Sequence, residues 1–432
     1  MNYYSLNNNQ LSSSFKNAVI QGIAPDSGLY FPEKITPLPS SFYDIIEDLS
    51  NENIAYKVIR QFIGEEIPEV DLKNIIRETL CFDFPVIPLK KNIFALELFH
   101  GPTMAFKDVG ARFMSRCLAY FNQGNNAKVT VLVATSGDTG GAVASGFLGI
   151  SNTNVVILYP ENMVSDFQER QLTTLGQNIH AIAVKGTFDD CQTMVKKAFS
   201  DTDLKDCKLT SANSINIARW LPQMFYFFFA YKELKKQNKP IIISCPSGNF
   251  GNICAGMMAK RLGLPIHYFI ASTNENDTIP RFMEDGNYEP KNTVATLSNA
   301  MDVSNPSNFV RILKLYDNNR YELVKDFYSY KFNDEETIRA MQTVYKTHNY
   351  CMDPHGAVGY LGLKRKLKEN RDCIGVFLET AHPVKFEKVV SQALGIHVEV
   401  PEDMKSIMQK EKIKYTYDNY NDVKNLLLGL KI

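Results

Sequence analysis

Net charge is missing from this 432-residue chain: 47 lysines and arginines stand against 47 aspartates and glutamates. A sequence without a basic excess offers no electrostatic track for a nucleic acid and no patch for an anionic membrane. Paired cysteines are missing too. Eight are scattered, at Cys81, Cys117, Cys191, Cys207, Cys245, Cys254, Cys351 and Cys373, with no C-x-x-C and no Cys/His cluster at metal-ligand spacing. No metal is expected, and the thiols read as small core residues kept reduced in a cytoplasm. Long apolar runs are absent. The longest, near residues 224–230, falls far short of the roughly 20 residues a membrane span needs. Residues 1–15 are polar and lack the apolar stretch of a signal peptide. Neither low-complexity tracts nor internal repeats stand out. At 44% hydrophobic residues the chain can bury a large core, so a cytoplasmic protein with a small-molecule partner is expected.

What is present has an order. Up to about residue 90, apolar residues recur at helical spacing over 42–48, 53–62 and 70–79. From Asn92 the rhythm changes. Short β-type runs at 93–99, 129–134, 154–159, 179–184, 241–244, 267–271 and 374–378 alternate with turns and helical patterns such as 107–121 and 139–148. This alternation predicts α/β architecture, with mostly parallel sheets covered by helices on both faces. Three parts are expected: an N-terminal helical segment (1–90), an α/β body in two lobes (91–395), and a C-terminal extension (396–432) closing on a helix over 421–428.

Three stretches carry chemistry. In His100-Gly101-Pro102-Thr103-Met104-Ala105-Phe106-Lys107-Asp108, Lys107 follows a Gly-Pro break where a helical pattern begins. Burial favours the neutral amine, the form that attacks a carbonyl. A surface lysine near a helix start has the same local sequence, so the rest of the chain has to decide. The strand 131–134 runs into Thr135-Ser136-Gly137-Asp138-Thr139-Gly140-Gly141, where hydroxyls and amides at a helix start suit a carboxylate or a phosphate. Its glycine spacing fails the dinucleotide pattern G-x-G-x-x-G. The plain alternative is ordinary capping by Asp138 or Thr139. The strand 241–244 enters Pro246-Ser247-Gly248-Asn249-Phe250-Gly251-Asn252 in the same way. No Gly-Lys-Ser/Thr follows, which disfavours a nucleoside triphosphate and leaves a monophosphate held by backbone amides. A tight strand-to-helix connection without ligand is the plain alternative here. Two such turns and one placed lysine ask for a ligand with both a phosphate and an aldehyde, and pyridoxal phosphate has both.

On these stretches, with Thr380-Ala381-His382-Pro383-Val384-Lys385-Phe386, the segment Gly22 to Pro32, and Asn213-Ser214-Ile215-Asn216 before Ala218-Arg219, the chain resembles the threonine synthases over about residues 20–390. These are pyridoxal-phosphate enzymes of the tryptophan-synthase-β fold, fold type II. The resemblance implies Lys107 as the lysine that carries the cofactor. It implies Gly248, Asn249, Phe250, Gly251 and Asn252 as the phosphate cradle, and Thr380 facing the pyridine nitrogen. Asp138 is implied as a cofactor contact. Ser136, Thr139, Asn216 and Arg219 are implied as substrate contacts. The implied reaction takes O-phospho-L-homoserine and water to L-threonine and phosphate, by γ-elimination and addition of water at Cβ. Monomer and homodimer both fit.

Three departures from the family pattern stand out. Asn252 replaces an acid, Met104 replaces leucine, and Ser5-Leu6-Asn7 stands where Ser-Thr-Arg is usual. Other singled-out residues have plain readings. His100 and His382 read as caps, Lys385 as a solvated lysine, Glu379 as an exposed strand end, and Arg219 as a surface residue beside Trp220. The stripe 217–231 reads as core or interface. The rival functions are a β-eliminating serine/threonine dehydratase of the same fold, a non-catalytic binder of cofactor or phosphorylated ligand, and a nucleotide-binding α/β protein. The presence of Lys107 disfavours the second, and the missing glycine-loop spacings disfavour the third.

Overall fold

A computed structural model describes residues 1–124 and 128–430. Residues 125–127 of the expected α/β body, and residues 431–432 of the expected C-terminal extension, lie outside the described residues. The described chain folds as two compact units.

The first unit comprises residues 1–2, 31–106 and 220–398. Its six-stranded sheet runs in the order Phe327–Lys331, Ile266–Thr273, Ile241–Pro246, Ile374–Glu379, Ile93–Glu97 and Val86–Lys90. Every neighbouring pair is parallel except the last, which is an antiparallel edge. The two central strands are buried at every residue, as strands covered on both faces must be. The helix Pro354–Glu369 lies on this sheet through Gly356, Gly359 and Gly362, one every three residues on one helix face. A methyl at Gly359 would stand 3.2 Å from Pro246, and one at Gly362 only 2.0 Å from Ser272 Oγ. The missing side chains let the helix approach the strands closely. The aromatic run Met224–Leu234 is a helix whose residues from Met224 to Ala230 are all buried, so the apolar stripe is core. Phe228 packs there against Phe42 and Tyr43, and Tyr43 donates its hydroxyl to Leu262 O at 2.7 Å. Asn51–Ile63 turns six apolar residues inward, starting from a Ser50 cap.

The second unit comprises residues 3–30, 107–219 and 399–430. Its five-stranded sheet is parallel throughout, in the order Tyr415–Tyr417, Ile179–Val184, Thr153–Pro160, Val129–Ala134, Leu209–Thr210. The final helix, Tyr420–Gly429, places Tyr420, Val423 and Leu427 in one core with Leu132, Val156 and Ile182. Lys424 pairs with Asp201 and Asp203, while Lys412 and Lys414 pair with Glu169. The last segment thus completes a core and an outer strand of this sheet. The three sequence segments are redistributed: 3–30 and 399–430 fold with 107–219, and 31–90 folds with 220–398. Among the described residues, no helix is long and apolar enough to cross a membrane.

Candidate active site

In the first unit the Ile241–Pro246 strand ends in the turn Ser247–Phe250 and starts the helix Gly251–Arg261. Phe250, at the helix entrance, has a φ of 59°, a left-handed conformation uncommon for a bulky residue. It contributes no side-chain cap, so the first amides of this helix are left to backbone or ligand partners. Gly248 fits because it has no side chain: a Cβ there would stand 2.7 Å from Met301 Cα and 3.0 Å from Ala300 O. Ser307 N donates to Asn249 Oδ1 at 2.7 Å, and Asn308 Nδ2 donates to Asn249 O at 3.1 Å. Asn252 is buried, donates to Pro246 O at 2.9 Å, and accepts from Ile253 N at 2.7 Å. The amide that replaces the family's acid therefore ties the turn together from within.

Thr380 follows the Ile374–Glu379 strand and is 6% exposed. The stretch before Lys107 runs along it. Leu98 N donates to Glu379 O at 2.9 Å, Phe106 N to Thr380 O at 2.9 Å, and His382 N to Met104 O at 3.1 Å. Ala105 and Ala381 form an isolated antiparallel bridge between them. Met104 adopts a φ of 56° in this run.

His382 is half-buried and caps the turn Pro383–Phe386, its Nδ1 accepting from Val384 N at 3.2 Å. Burial, with His100 nearby, outweighs Glu97 and Asp353 and lowers its imidazole to about 4. It is neutral at physiological pH, and a capping role is what the structure gives it. His100 Nε2 meets Glu97 Oε2 at 2.7 Å, an ion-pair geometry rather than a cap. Lys385 overturns its plain reading. It is fully buried and donates to Thr103 O at 2.7 Å. Glu379 does so as well, fully buried at the strand end beside Asp353 and Glu97. Burial first, and those two acids next, raise its carboxyl well above the usual range.

In the second unit Lys107 is the first residue of the helix Lys107–Phe121. Its side chain is 17% exposed, and its Nζ lies 3.8 Å from Asp138 Oδ2. Asp138 opens the helix Asp138–Phe147 and is itself buried, accepting from Gln168 Nε2 at 2.9 Å. The N-cap is Gly137, without a side-chain cap bond. Thr135 Oγ1, two residues before Gly137 and just past the strand, accepts from the amides of Gly137 and Gly140 at 3.0 and 2.9 Å. Capping by Asp138 or Thr139 is not what this turn uses. Ser136 and Thr139 are half-buried on it.

Asn216 and Arg219 lie inside. Asn216 donates to Val19 O at 2.9 Å and to Ser211 O at 3.2 Å. Arg219 donates to Ala212 O at 2.5 Å, and is no surface residue. Burial lowers its guanidinium to about 10 against the opposing pull of Asp108, so it keeps its charge at neutral pH.

Gln168, Thr135 as a turn scaffold, and His355 carry no signal in the sequence that points to a site. Asp353-Pro354-His355-Gly356 does carry a helix-start signal, an acid followed by proline at the first helical position. That signal points to capping and says nothing of the histidine.

In the first unit, the turn at Gly248 suits the phosphate of pyridoxal phosphate. The Gly248 turn has no room for a Cβ, and its helix has no side chain in the place of a phosphate at its entrance. The family model for pyridoxal-phosphate dependent enzymes matches residues 72–379. Models for the threonine synthase N terminus and C-terminal region match 2–80 and 356–426. The chain is 45% identical to a threonine synthase of Haemophilus influenzae, over 97% of each chain. The crystal structure of threonine synthase from Escherichia coli matches with a TM-score of 0.93 at 41% identity, covering 100% of both chains. A threonine synthase from Brucella melitensis, solved with pyridoxal phosphate bound, matches with a TM-score of 0.94 at 33% identity, covering 100% of this chain and 99% of the other.

Proposed function

The chain belongs to the threonine synthase family of pyridoxal-phosphate enzymes, and from that premise we propose that it converts O-phospho-L-homoserine and water to L-threonine and phosphate. The amides of the Gly248–Asn252 turn would hold the cofactor's phosphate, Thr380 would face its ring nitrogen, and Lys107 would hold its aldehyde carbon. A hydroxyl at Thr380 leaves that nitrogen without the charge a carboxylate would stabilise. When bound, pyridoxal phosphate supplies an aldehyde that takes up the substrate amine and a ring that disperses carbanion charge.

With the cofactor and substrate in place, Lys107 Nζ would take the α-proton. A β-proton and the γ-phosphate then depart, a proton returns to Cγ, water gives its hydroxyl to Cβ, and a proton returns to Cα. Asp138, 3.8 Å from Lys107 Nζ, orients that amine. Ser136 and Thr139 bind the substrate carboxylate through their hydroxyls and neighbouring amides. Asn216 and Arg219, which hold the carbonyls of Val19, Ser211 and Ala212, shape the substrate wall from behind. The enzyme works in the cytoplasm on a small molecule, without nucleic acid, as a monomer or a homodimer.

The observation that supports these roles most directly is the backbone pairing of Phe106 with Thr380, which fixes the residue before Lys107 beside the residue assigned to the ring nitrogen. Two measurements test the reading. Borohydride reduction of the holoenzyme should leave a cofactor adduct on the peptide that contains Lys107. O-Phosphohomoserine should yield phosphate and threonine in equal amounts. An adduct elsewhere sinks the role of Lys107. A keto acid formed from threonine or serine, without phosphate release, makes the chain a dehydratase.

A further inference from the structure

A buried strut runs through the first unit, from the strand end before Thr380 to the turn at Gly248. Ala300 N donates to His355 Nε2 at 3.1 Å. His355 Nδ1 meets Asp353 Oδ2 at 2.6 Å, and Asp353 Oδ1 accepts from Gly356 N at 2.8 Å. Asp353 is fully buried and His355 nearly so.

An imidazole nitrogen that accepts from a backbone amide uses its lone pair, which leaves Nδ1 to donate to Asp353. Both oxygens of Asp353 accept, one from His355 Nδ1 and one from Gly356 N. Glu379 lies beside it, fully buried, its carboxyl so close to Gly356 that a Cβ there would stand 2.1 Å from Oε1. Burial, with Asp353 and Glu97 nearby, raises the Glu379 carboxyl well above its ordinary value.

The far end of the strut matters for the ligand. Ala300 belongs to the single turn Asn299–Met301, and that turn is the surface against which Gly248 packs. Its other anchor is separate: Asp302 Oδ1 accepts from Asn274 Nδ2 and from Thr296 Oγ1, each at 2.8 Å. His355 thus controls the end of the turn that touches Gly248, while Asp302 keeps the segment folded.

We propose that His355, oriented by Asp353, is a positioning residue for the cofactor's phosphate, because it holds the Asn299–Met301 turn against Gly248 and so fixes the amides of the phosphate turn. The proposal rests on the reading of that turn as the phosphate cradle.

The test compares two ligands of the holoenzyme's site, pyridoxal phosphate and pyridoxal, which differ only in the phosphate. Dissociation constants are measured by visible absorbance for the parent, His355→Phe and His355→Gln. Phenylalanine keeps the ring that packs 4.6 Å from Phe386 and removes the acceptor. An unpaired buried amide is costly, so His355→Phe should weaken pyridoxal phosphate by about tenfold or more and pyridoxal by less than about twofold. His355→Gln, whose side-chain oxygen reaches the Nε2 position, should recover most of the loss. Equal weakening of both ligands, or no recovery with glutamine, overturns the positioning role, since a general loss of structure would not read the phosphate. If His355→Phe fails to fold, the glutamine variant alone decides: a phosphate-selective affinity near the parent's supports the strut, and equal weakening of both ligands overturns it. If the parent itself binds pyridoxal as tightly as pyridoxal phosphate, the cradle reading fails instead, and the two failures are distinct.

Discussion

The amide of Phe106 donates to the carbonyl of Thr380 at 2.9 Å, joining residues 274 positions apart in the chain. With the Leu98–Glu379 and Met104–His382 bonds on either side, the run that ends one residue before Lys107 is laid along the motif that follows the central strand. Backbone hydrogen bonds of this kind are insensitive to side-chain substitution. The chemistry at Lys107 and Thr380 can therefore be removed without unpicking the scaffold.

Lys107→Ala should keep the fold and lose the reaction. The lysine is assigned both the cofactor's aldehyde and the α-proton, and a positioned base alone is worth on the order of 10²–10⁴ in rate. Turnover of O-phosphohomoserine should fall by at least that factor, while thermal unfolding of the apo form stays close to the parent's. Full turnover in this variant would remove the central premise.

Gly248→Ala should weaken cofactor binding through sterics alone. The new methyl would stand 2.7 Å from Met301 Cα, a backbone atom that cannot rotate away. Overpacking of this sort costs about 1–3 kcal/mol. Cofactor titration followed by absorbance should show the loss, and an unchanged affinity would mean the Asn299–Met301 turn yields freely.

His382 should make the protein acid-sensitive. Its imidazole is held at about 4 in the fold, against 6.5 ordinarily, with burial and His100 outweighing Glu97 and Asp353, and Lys385 adding to the depression. Between those values the unfolded chain binds the extra proton and the folded one does not. Stability is complete above pH 6.5 and is lost as pH falls toward 4, by about 3 kcal/mol for the full shift. Asparagine can keep the Val384 cap without titrating. Denaturant unfolding at pH 7 and pH 4.5 should therefore show a smaller acid loss in His382→Asn than in the parent.

Glu379 works in the opposite direction. Its carboxyl is raised by burial and by Asp353 and Glu97, so the folded state holds a proton that the unfolded chain gives up above its ordinary value of 4.5. That contribution is present at low pH and is lost as pH rises toward the folded value. Glu379→Gln imitates the protonated acid. It should match the parent within ~1 kcal/mol at pH 5 and gain on it as pH rises in urea unfolding curves. A variant that loses ground with rising pH would show that Glu379 is charged.

Much of the fold was legible because its signals are local. The parallel strands at 129–134, 179–184 and 374–379 are short β-branched or apolar runs followed by turns, and each was visible without a partner. Lys107 at the head of its helix, and the turns at Gly137 and Gly248, were legible for the same reason. The grouping of segments was not. Residues 3–30 and 399–430 join the 107–219 unit, Leu427 sharing one core with Leu132, and amphipathic spacing says that a helix has an apolar face without saying which core will take it.

Side-chain fates divide along the same line. The chemistry is legible residue by residue: one lysine at a helix start, glycine turns with no room for side chains, a hydroxyl after the central strand. Which charges end up buried depends on packing between segments far apart in the chain. Lys385 looks like any solvated lysine until Thr103, 282 residues away, supplies its acceptor, and Glu379 looks like a strand end until Pro354–Glu369 covers it. His355 gains its acceptor role from Ala300, 55 residues earlier. A charged or titratable group can be buried only where a partner or a proton compensates, and here those partners come from strands, turns and helices remote in the chain.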